Sequence, residues 1–389
     1  MRTLNRNWGL WVLGLAGSIL VMSTSAQANS NIQESGSVII FPKVLGTAQY
    51  DTLIEITNTG NSMAHAHCYY VDGSRPNSWS VTDFDIWLTK QQPTHWVART
   101  GRGVDIFDPW ASDGAGFDPG RIPPVSSGFQ GELKCIQSDD SGAPLRANKL
   151  IGKATIITNS TGDVSTYNAV ALKGNPNAEI GNNDTVLELN NTASNQGEYD
   201  ACPVTLDLSV VSASSAVNDP VIDQLGICTP NCPVDTELTL VPCDENLETV
   251  SPGEVLLTVF TYDEFETRLS TTINVDCWFN RRLSDVTVFQ TAFLRDTFGV
   301  FARLIPGKGE GRVVGVAEEF RSDKNGTAVG ATARAAYNLV GEGTRVCNDT
   351  APNGRAGLAC FSNEDCGGEV GGGFCIDGAA DQIVIPLFD

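Results

Sequence analysis

The chain has 389 residues, with 25 Lys and Arg against 46 Asp and Glu and a formal net charge of −21 at pH 7. That acidity argues against a nucleic-acid partner, because phosphate binding needs cationic side chains to displace counterions. It fits a solvated exterior protein, or loops that bind divalent cations.

The N-terminus reads as a secretory leader over residues 1–28. Arg2 and Arg6 form a positive start, Trp8 to Met22 an apolar run too short for a comfortable span, and Ala26-Gln27-Ala28 an Ala-x-Ala cleavage signal. The competing reading is an uncleaved anchor. Asn29 in place of a cysteine argues against a lipoprotein, and losing Arg2 and Arg6 takes the formal charge from −21 to −23. No later stretch approaches spanning length, so no membrane span is expected after cleavage. All eleven cysteines lie beyond the leader, where an oxidising compartment would make most of them disulfides. The odd count leaves at least one outside an internal pair.

Beyond the leader, short β-branched or alternating runs recur between Gly, Pro, Asn and Asp clusters, as in a sandwich. They include Ser37 to Phe41, Thr52 to Thr57, Leu150 to Ile157 and Val255 to Phe260. An internal repeat organises them. Ser37-Val-Ile-Ile-Phe-Pro42 is set against Glu237-Leu-Thr-Leu-Val-Pro242, and Leu53 to Asn58, leading to Cys68, against Leu256 to Thr261, leading to Cys277. Leu150-Ile-Gly-Lys-Ala154 is set against Val313-Val-Gly-Val-Ala317, and Tyr167-Asn168 against Tyr337-Asn338. The expected fold class is all-β: two tandem related immunoglobulin-like β-sandwich domains, 30–200 and 233–345. A connector, 201–232, would join them, with a small disulfide-rich module at 346–380 and a terminal strand at 381–389. Pro306-Gly-Lys-Gly-Glu-Gly311 reads as a hairpin turn in the second copy.

The runs Thr52 to Thr59, His67-Cys-Tyr-Tyr-Val71, Asp83-Phe-Asp-Ile-Trp-Leu88 to Pro93 and Phe129 to Cys135 resemble uncharacterised secreted immunoglobulin-like β-sandwich proteins of Gram-negative bacteria. The resemblance implies a secreted, periplasmic or cell-surface location; it brings no activity with it.

Among the cysteines, Cys68 and Cys135 each end strand-like runs and can pair within the first copy. Cys277 has Cys243 as its local partner, and Cys228 with Cys232 would close a small loop. That leaves Cys202 as the odd thiol, although Cys202 with either of the last two is an open alternative. Cys347, Cys360, Cys366 and Cys375 would form two disulfides, the alternative being a four-thiolate zinc site that lacks the usual Cys-x-x-Cys knuckles. The three histidines give the sharpest enzyme reading. His65 and His67 share a strand face, and with His95 they would hold zinc and an activated water for hydrolysis. The plainer reading is a surface pair with His95 elsewhere. Asp105, Asp108, Asp113 and Asp118 in the loop from Arg99 to Ser127 offer calcium ligands, or are turn formers. Trp79, Trp87, Trp96 and Trp110 offer an aromatic platform or core packing, with Trp110 the best surface contact. No Gly-x-Ser-x-Gly, His-Glu-x-x-His or phosphate-loop motif occurs.

No cofactor is therefore expected beyond a calcium or zinc ion. The expected function is a secreted or cell-surface structural or adhesive protein whose loops meet a surface, glycan or protein ligand. The alternatives are an envelope subunit that adds residues 381–389 to another sheet edge, and the histidine metallohydrolase.

Overall fold

The computed structural model describes residues 34–74, 80–103, 120–178, 185–191, 197–211, 234–290, 292–294, 299–307, 311–321, 333–342, 345–348, 351–352, 355–356, 360, 363–368, 373–377 and 381–386. The leader, Trp79, Trp110, the four loop aspartates Asp105, Asp108, Asp113 and Asp118, and Cys228 and Cys232 all lie outside the described residues.

The chain is all-β. Its first sandwich contains β1 (Val38–Gly46), β2 (Tyr50–Asn58), β3 (Ala64–Asp72), β4 (Ser80–Leu88), β5 (Pro93–Val97), β6 (Phe129–Ser138), β7 (Leu150–Thr158), β8 (Val164–Asn168) and β9 (Val170–Leu172). Then come β10 (Val186–Asn191) and β11 (Tyr199–Asp200). The second sandwich contains β12 (Thr205–Val211), β13 (Val234–Pro242), β15 (Glu254–Asp263), β16 (Arg268–Asp276), β17 (Phe279–Arg282), β18 (Gly299–Pro306), β19 (Val313–Arg321), β20 (Ala333–Asn338) and β21 (Val340–Glu342). The short β14 (Glu245–Asn246) leaves it for a junction sheet. β22 (Arg345–Cys347) and β23 (Cys375–Asp377) pair in the cysteine-rich module, and β24 (Asp381–Val384) follows.

The two sandwiches have one topology. In the first, a sheet ordered β4-β3-β6-β1-β9 faces one ordered β5-β2-β7-β8; in the second, β16-β15-β18-β12-β21 faces β17-β13-β19-β20. Replacing β1 by β12, β2 by β13, β3 by β15 and so on to β9 by β21 converts one order into the other. This corrects the register of the repeat. The Gly152/Gly315 and Tyr167/Tyr337 matches fall on equivalent strands. The two upstream matches are one strand out, because β12 belongs to the second sandwich and not to a connector.

Side chains carry the same equivalence. The Tyr167 hydroxyl donates to the Lys43 carbonyl of β1 at 2.6 Å, and the Tyr337 hydroxyl to the Ser209 carbonyl of β12 at 3.1 Å. Gly152 accepts the Ala169 N–H, as Gly315 accepts that of Leu339. A Cβ at Gly152 would lie 2.4 Å from the Phe41 ring, and one at Gly315 2.6 Å from Leu240, so both positions need the close approach that glycine allows.

The sandwiches are joined through a shared interior. Along β1 and β3 every residue is buried, on both faces. The inward face, with Ile39, Phe41, Cys68 and Tyr70, fills the first core. The outward face, with Val38, Ile40, Tyr69 and Val71, packs with Leu187, Leu189, Val241, Val314 and Ile383 in a second cluster. A four-stranded sheet ordered β11-β10-β24-β14 supplies much of that cover. In it, β24 runs antiparallel to β10 and parallel to β14. Residues 381–384 thus pair with β10 within their own chain, and Ile383 and Val384 also with β14, which goes against the alternative that this strand adds to another molecule's sheet. β18 and β19 lie in different sheets, so the glycine-rich stretch after Pro306 crosses between sheets and does not turn a hairpin.

Two sets of buried charges cross the junction. Lys43 is fully enclosed with Glu237 and Glu318, and Arg334 and Ser165 also bond Glu318. Burial is the largest influence on Glu318 and would raise its pKa, but Lys43 and Arg334 together hold it below the usual range. Lys134 reaches Glu132 at 2.7 Å and Glu245 of β14. Burial and the neighbouring Glu132 push Glu245 well up. Such pairs gain little over an apolar core, but removing one partner strands a charge at a cost of about 3–5 kcal/mol.

Among the described residues the disulfides are Cys68–Cys135, Cys202–Cys243, Cys347–Cys366 and Cys360–Cys375. Cys68 and Cys135 stand directly opposite each other on β3 and β6. Two expectations are corrected: Cys202 is bonded, and among the described residues Cys277 is the buried free thiol. Cys202 just precedes β12 and Cys243 just follows β13, so their Cα atoms come to 6.6 Å. Cys277 occupies a left-handed corner between β16 and β17 (φ 63°), and burial holds its thiol protonated.

Candidate functional site

On the outward face of β3, period-two alternation sets His65 and His67 beside Asp83, Asp85 and Trp87 of β4. One oxygen of Asp85 bonds both imidazoles, His65 through Nε2 and His67 through Nδ1, each at 2.8 Å. His65 stacks on Trp87 with centroids 4.2 Å apart and planes 6° from parallel. Its Nδ1 lies 2.7 Å from the Asp139 carbonyl and 3.1 Å from Ser138 Oγ. Burial would raise the Asp85 pKa, but hydrogen bonds from His65 and His67 hold it well below the usual carboxylate range. Burial would lower that of His65, but Asp85 and the Asp139 carbonyl raise it.

Ser138, His65 and Asp85 have the composition of a hydrolytic triad but not its wiring. A carbonyl can only accept, so the 2.7 Å contact places a proton on Nδ1, and that nitrogen cannot take one from Ser138. Ser138 is itself buried. The expected trio of histidines does not converge either. His95 lies on β5 in the opposite sheet, on its exposed face beside Glu55. Among the described residues, the one group of three ligand-type side chains whose donor atoms approach within 4.8 Å is Cys347, Cys360 and Cys366. Their sulfurs are in disulfides.

A groove missed in the sequence lies where the edge strands β16 and β17 part, next to the first sandwich. One cleft of about 340 Å³ is lined by Gly73, Ser74 and Gln130 from the first sandwich and by Asp276, Trp278 and Asn280, among others, from the second. A neighbouring cleft of about 360 Å³ includes Thr271, Thr272, Asp285 and Thr287. The two share Asn274, Phe279 and Arg281, which makes them one continuous groove. Trp278 fixes the junction wall: its indole N–H donates to the Pro42 carbonyl at 2.9 Å. A Cβ at Gly73 would lie 2.3 Å from the Trp278 Cβ, so only glycine fits under it.

The polar atoms facing the groove are partly committed. Asn280 Oδ1 accepts from Thr239 Oγ1 at 2.5 Å, leaving its amide N–H groups; Asn274 donates to Glu254 at 2.7 Å, leaving its oxygen. The side chains of Gln130, Asp276 and Arg281 hold no hydrogen bond or ion pair among the described residues, although the Arg281 guanidinium lies 5.8 Å from the Phe279 ring centre. These residues had no recognisable spacing, since two domains contribute them.

No family model matches the chain, and no curated protein does. Among solved structures, it is similar to a candidate secreted protein from Parabacteroides distasonis at 10% identity, covering 76% of this chain and 74% of the other, with a TM-score of 0.18. It is also similar to a lectin from Pleurotus ostreatus in complex with GalNAc, at 11% identity, 92% and 87% coverage and TM-score 0.14. A third is the CupB6 tip adhesin from Pseudomonas aeruginosa, at 9% identity, 80% and 93% coverage and TM-score 0.13. Scores this low carry no argument about fold or function. No helix among the described residues is long and apolar enough to cross a membrane.

Proposed function

We propose that the chain is exported and serves outside the cytoplasm as a rigid structural or adhesive protein of the cell surface or medium, its two sandwiches being of immunoglobulin-like type. The observation that carries this reading is the apolar and ion-paired junction between the sandwiches. Domains tethered by a small polar contact move relative to one another, whereas an extended apolar interface fixes them as one body. Opening the junction would part the buried Lys43 from Glu318 and Glu237, and Ser165 from Glu318. Crosslinks suit the same setting, since disulfides persist in oxidising compartments.

Purified protein incubated with bacterial cells, envelope fractions and immobilised glycans tests the adhesive part. Saturable binding to one of them is the expected result, and no binding to any of the three overturns it. Fractionation of the source cells tests the location: recovery in the cytoplasm would overturn export.

A further inference from the structure

We infer that the groove along β16 and β17 is a binding site for a neutral, hydroxyl-rich chain, an oligosaccharide, with one subsite at the interdomain cleft and a second beyond Arg281. This inference rests on the adhesive reading above and gives it a site and a ligand class.

Four observations converge. First, the volumes, about 340 and 360 Å³, each fall in the range of small-ligand clefts, roughly 300–1,000 Å³. The clefts adjoin through Asn274, Phe279 and Arg281, which suits successive units of one chain better than a single compact molecule. Second, the interdomain wall offers both polarities without net charge. Asp276 and the free oxygen of Asn274 only accept, Arg281 and the free amide of Asn280 only donate, and Gln130 does both. A hydroxyl is donor and acceptor at once, so a polyol satisfies such a set. A polyanion would meet Asp276, and a polycation Arg281.

Third, the half-buried Trp278 supplies a small apolar surface among these groups, against which the C–H face of a sugar ring can lie. Fourth, the site is preorganised. The two sandwiches that build it are locked by the buried junction, Trp278 is held by Pro42, and Asn280 and Asn274 are oriented by Thr239 and Glu254. Little ordering would be lost on binding. The second cleft continues the chemistry with the hydroxyls of Thr271, Thr272 and Thr287 and adds one carboxylate, Asp285, which disfavours an anionic chain.

The test is a glycan array of neutral hexose and N-acetylhexosamine oligomers, with sulfated and uronic-acid members included, probed with the full-length secreted protein. The expected result is binding to at least one neutral series, stronger by about tenfold for the oligomer than for its monosaccharide. Asp276→Ala and Arg281→Ala should each weaken it by about tenfold or more, because each removes a charge-assisted hydrogen bond. Phe301→Ala, on a distant exposed face, should leave it unchanged. Asp276 and Arg281 are surface residues, so an unaltered melting temperature would certify that these variants fold. No neutral glycan bound, binding confined to the acidic members, or binding that survives the Asp276→Ala/Arg281→Ala double substitution would each overturn the inference. If cells or envelope bind while the neutral array stays blank, this site assignment fails and the adhesive reading stands. If neither binds, both fail.

Discussion

The two sandwiches share a strand order yet distribute their apolar residues differently. In the first, β1 and β3 are buried along their whole length, because the junction sheet and the second sandwich cover their outer face. In the second, the equivalent β15 alternates between buried and exposed positions, with Leu256 open to solvent and Tyr262 partly so. A strand covered on both sides reads as a continuous apolar run, and one covered on a single side as an alternation. Burial pattern thus reports what lies on a strand, while topology is set by which strands pair.

The strongest way to break the relation between the two is to strand a charge at their junction. Glu318→Ala leaves the buried Arg334 without its carboxylate and Lys43 with Glu237 alone, and should cost about 3–5 kcal/mol. In a urea titration followed by both far-UV and near-UV signals, the expected outcome is a lower midpoint with two separated transitions. A single transition at the original midpoint would show that the junction contributes nothing.

Next in size is the crosslink that only the first sandwich has. Replacing Cys68 and Cys135 together by alanine should destabilise the protein by about 2–4 kcal/mol, as the denaturant midpoint would show. An unchanged midpoint would mean that the cross-strand packing already suffices.

The cover of the first sandwich also carries a pH dependence. Asp381 at the start of β24 has its pKa raised from 3.8 to about 6, chiefly by burial and against the pull of Arg312. The native state then holds this proton more tightly than the unfolded chain. Stability from this group is fully present below about pH 4 and is lost as pH rises through about 6, amounting to about 2–3 kcal/mol. Hydrogen exchange of the β24 amides should accelerate between pH 5 and 7.5 beyond the intrinsic rate, and Asp381→Asn should flatten that slope. A slope unaffected by the substitution would assign the dependence elsewhere.

The smallest effect would make the second sandwich resemble the first. Val259 and Leu304 face each other inward on β15 and β18, the strands equivalent to β3 and β6. A Val259→Cys/Leu304→Cys disulfide should add about 0.5–2 kcal/mol, seen as a reductant-sensitive rise in melting temperature. A fall in the oxidised form would mean that the sheets differ in local geometry despite their common order.

Much of the architecture was legible because the chemistry of the repeat was literal. The glycine of β7 and β19 and the tyrosine of β8 and β20 do the same work in both copies, and they were matched correctly. The first strand of the second copy was misplaced because Val204 to Val211 precedes a long Ser, Ala, Asn and Pro stretch, which reads as linker composition. Cys277 was matched to Cys68 by order alone, yet it sits at a corner and not on a strand. The His65–Asp85–His67 cluster was half visible: the histidine spacing gave a shared face, but only cross-strand register could bring in Asp85 and send His95 to the opposite sheet. The groove was not legible at all, since Gln130 and Arg281 become neighbours only after the two sandwiches dock.

The placement of β24 between β10 and β14 also imposes an order in time. A chain made from its N-terminus can pair β1 to β9 early, but the cover on the outer face of that sheet is complete only once Ile383 and Ile385 are available. During that interval Val38, Ile40, Tyr69 and Val71 belong to an incompletely covered apolar surface, the kind of transient exposure that invites aggregation. Assembly therefore closes with β24 near the end of the chain, and the half-built protein is the form that a chaperone would have to protect.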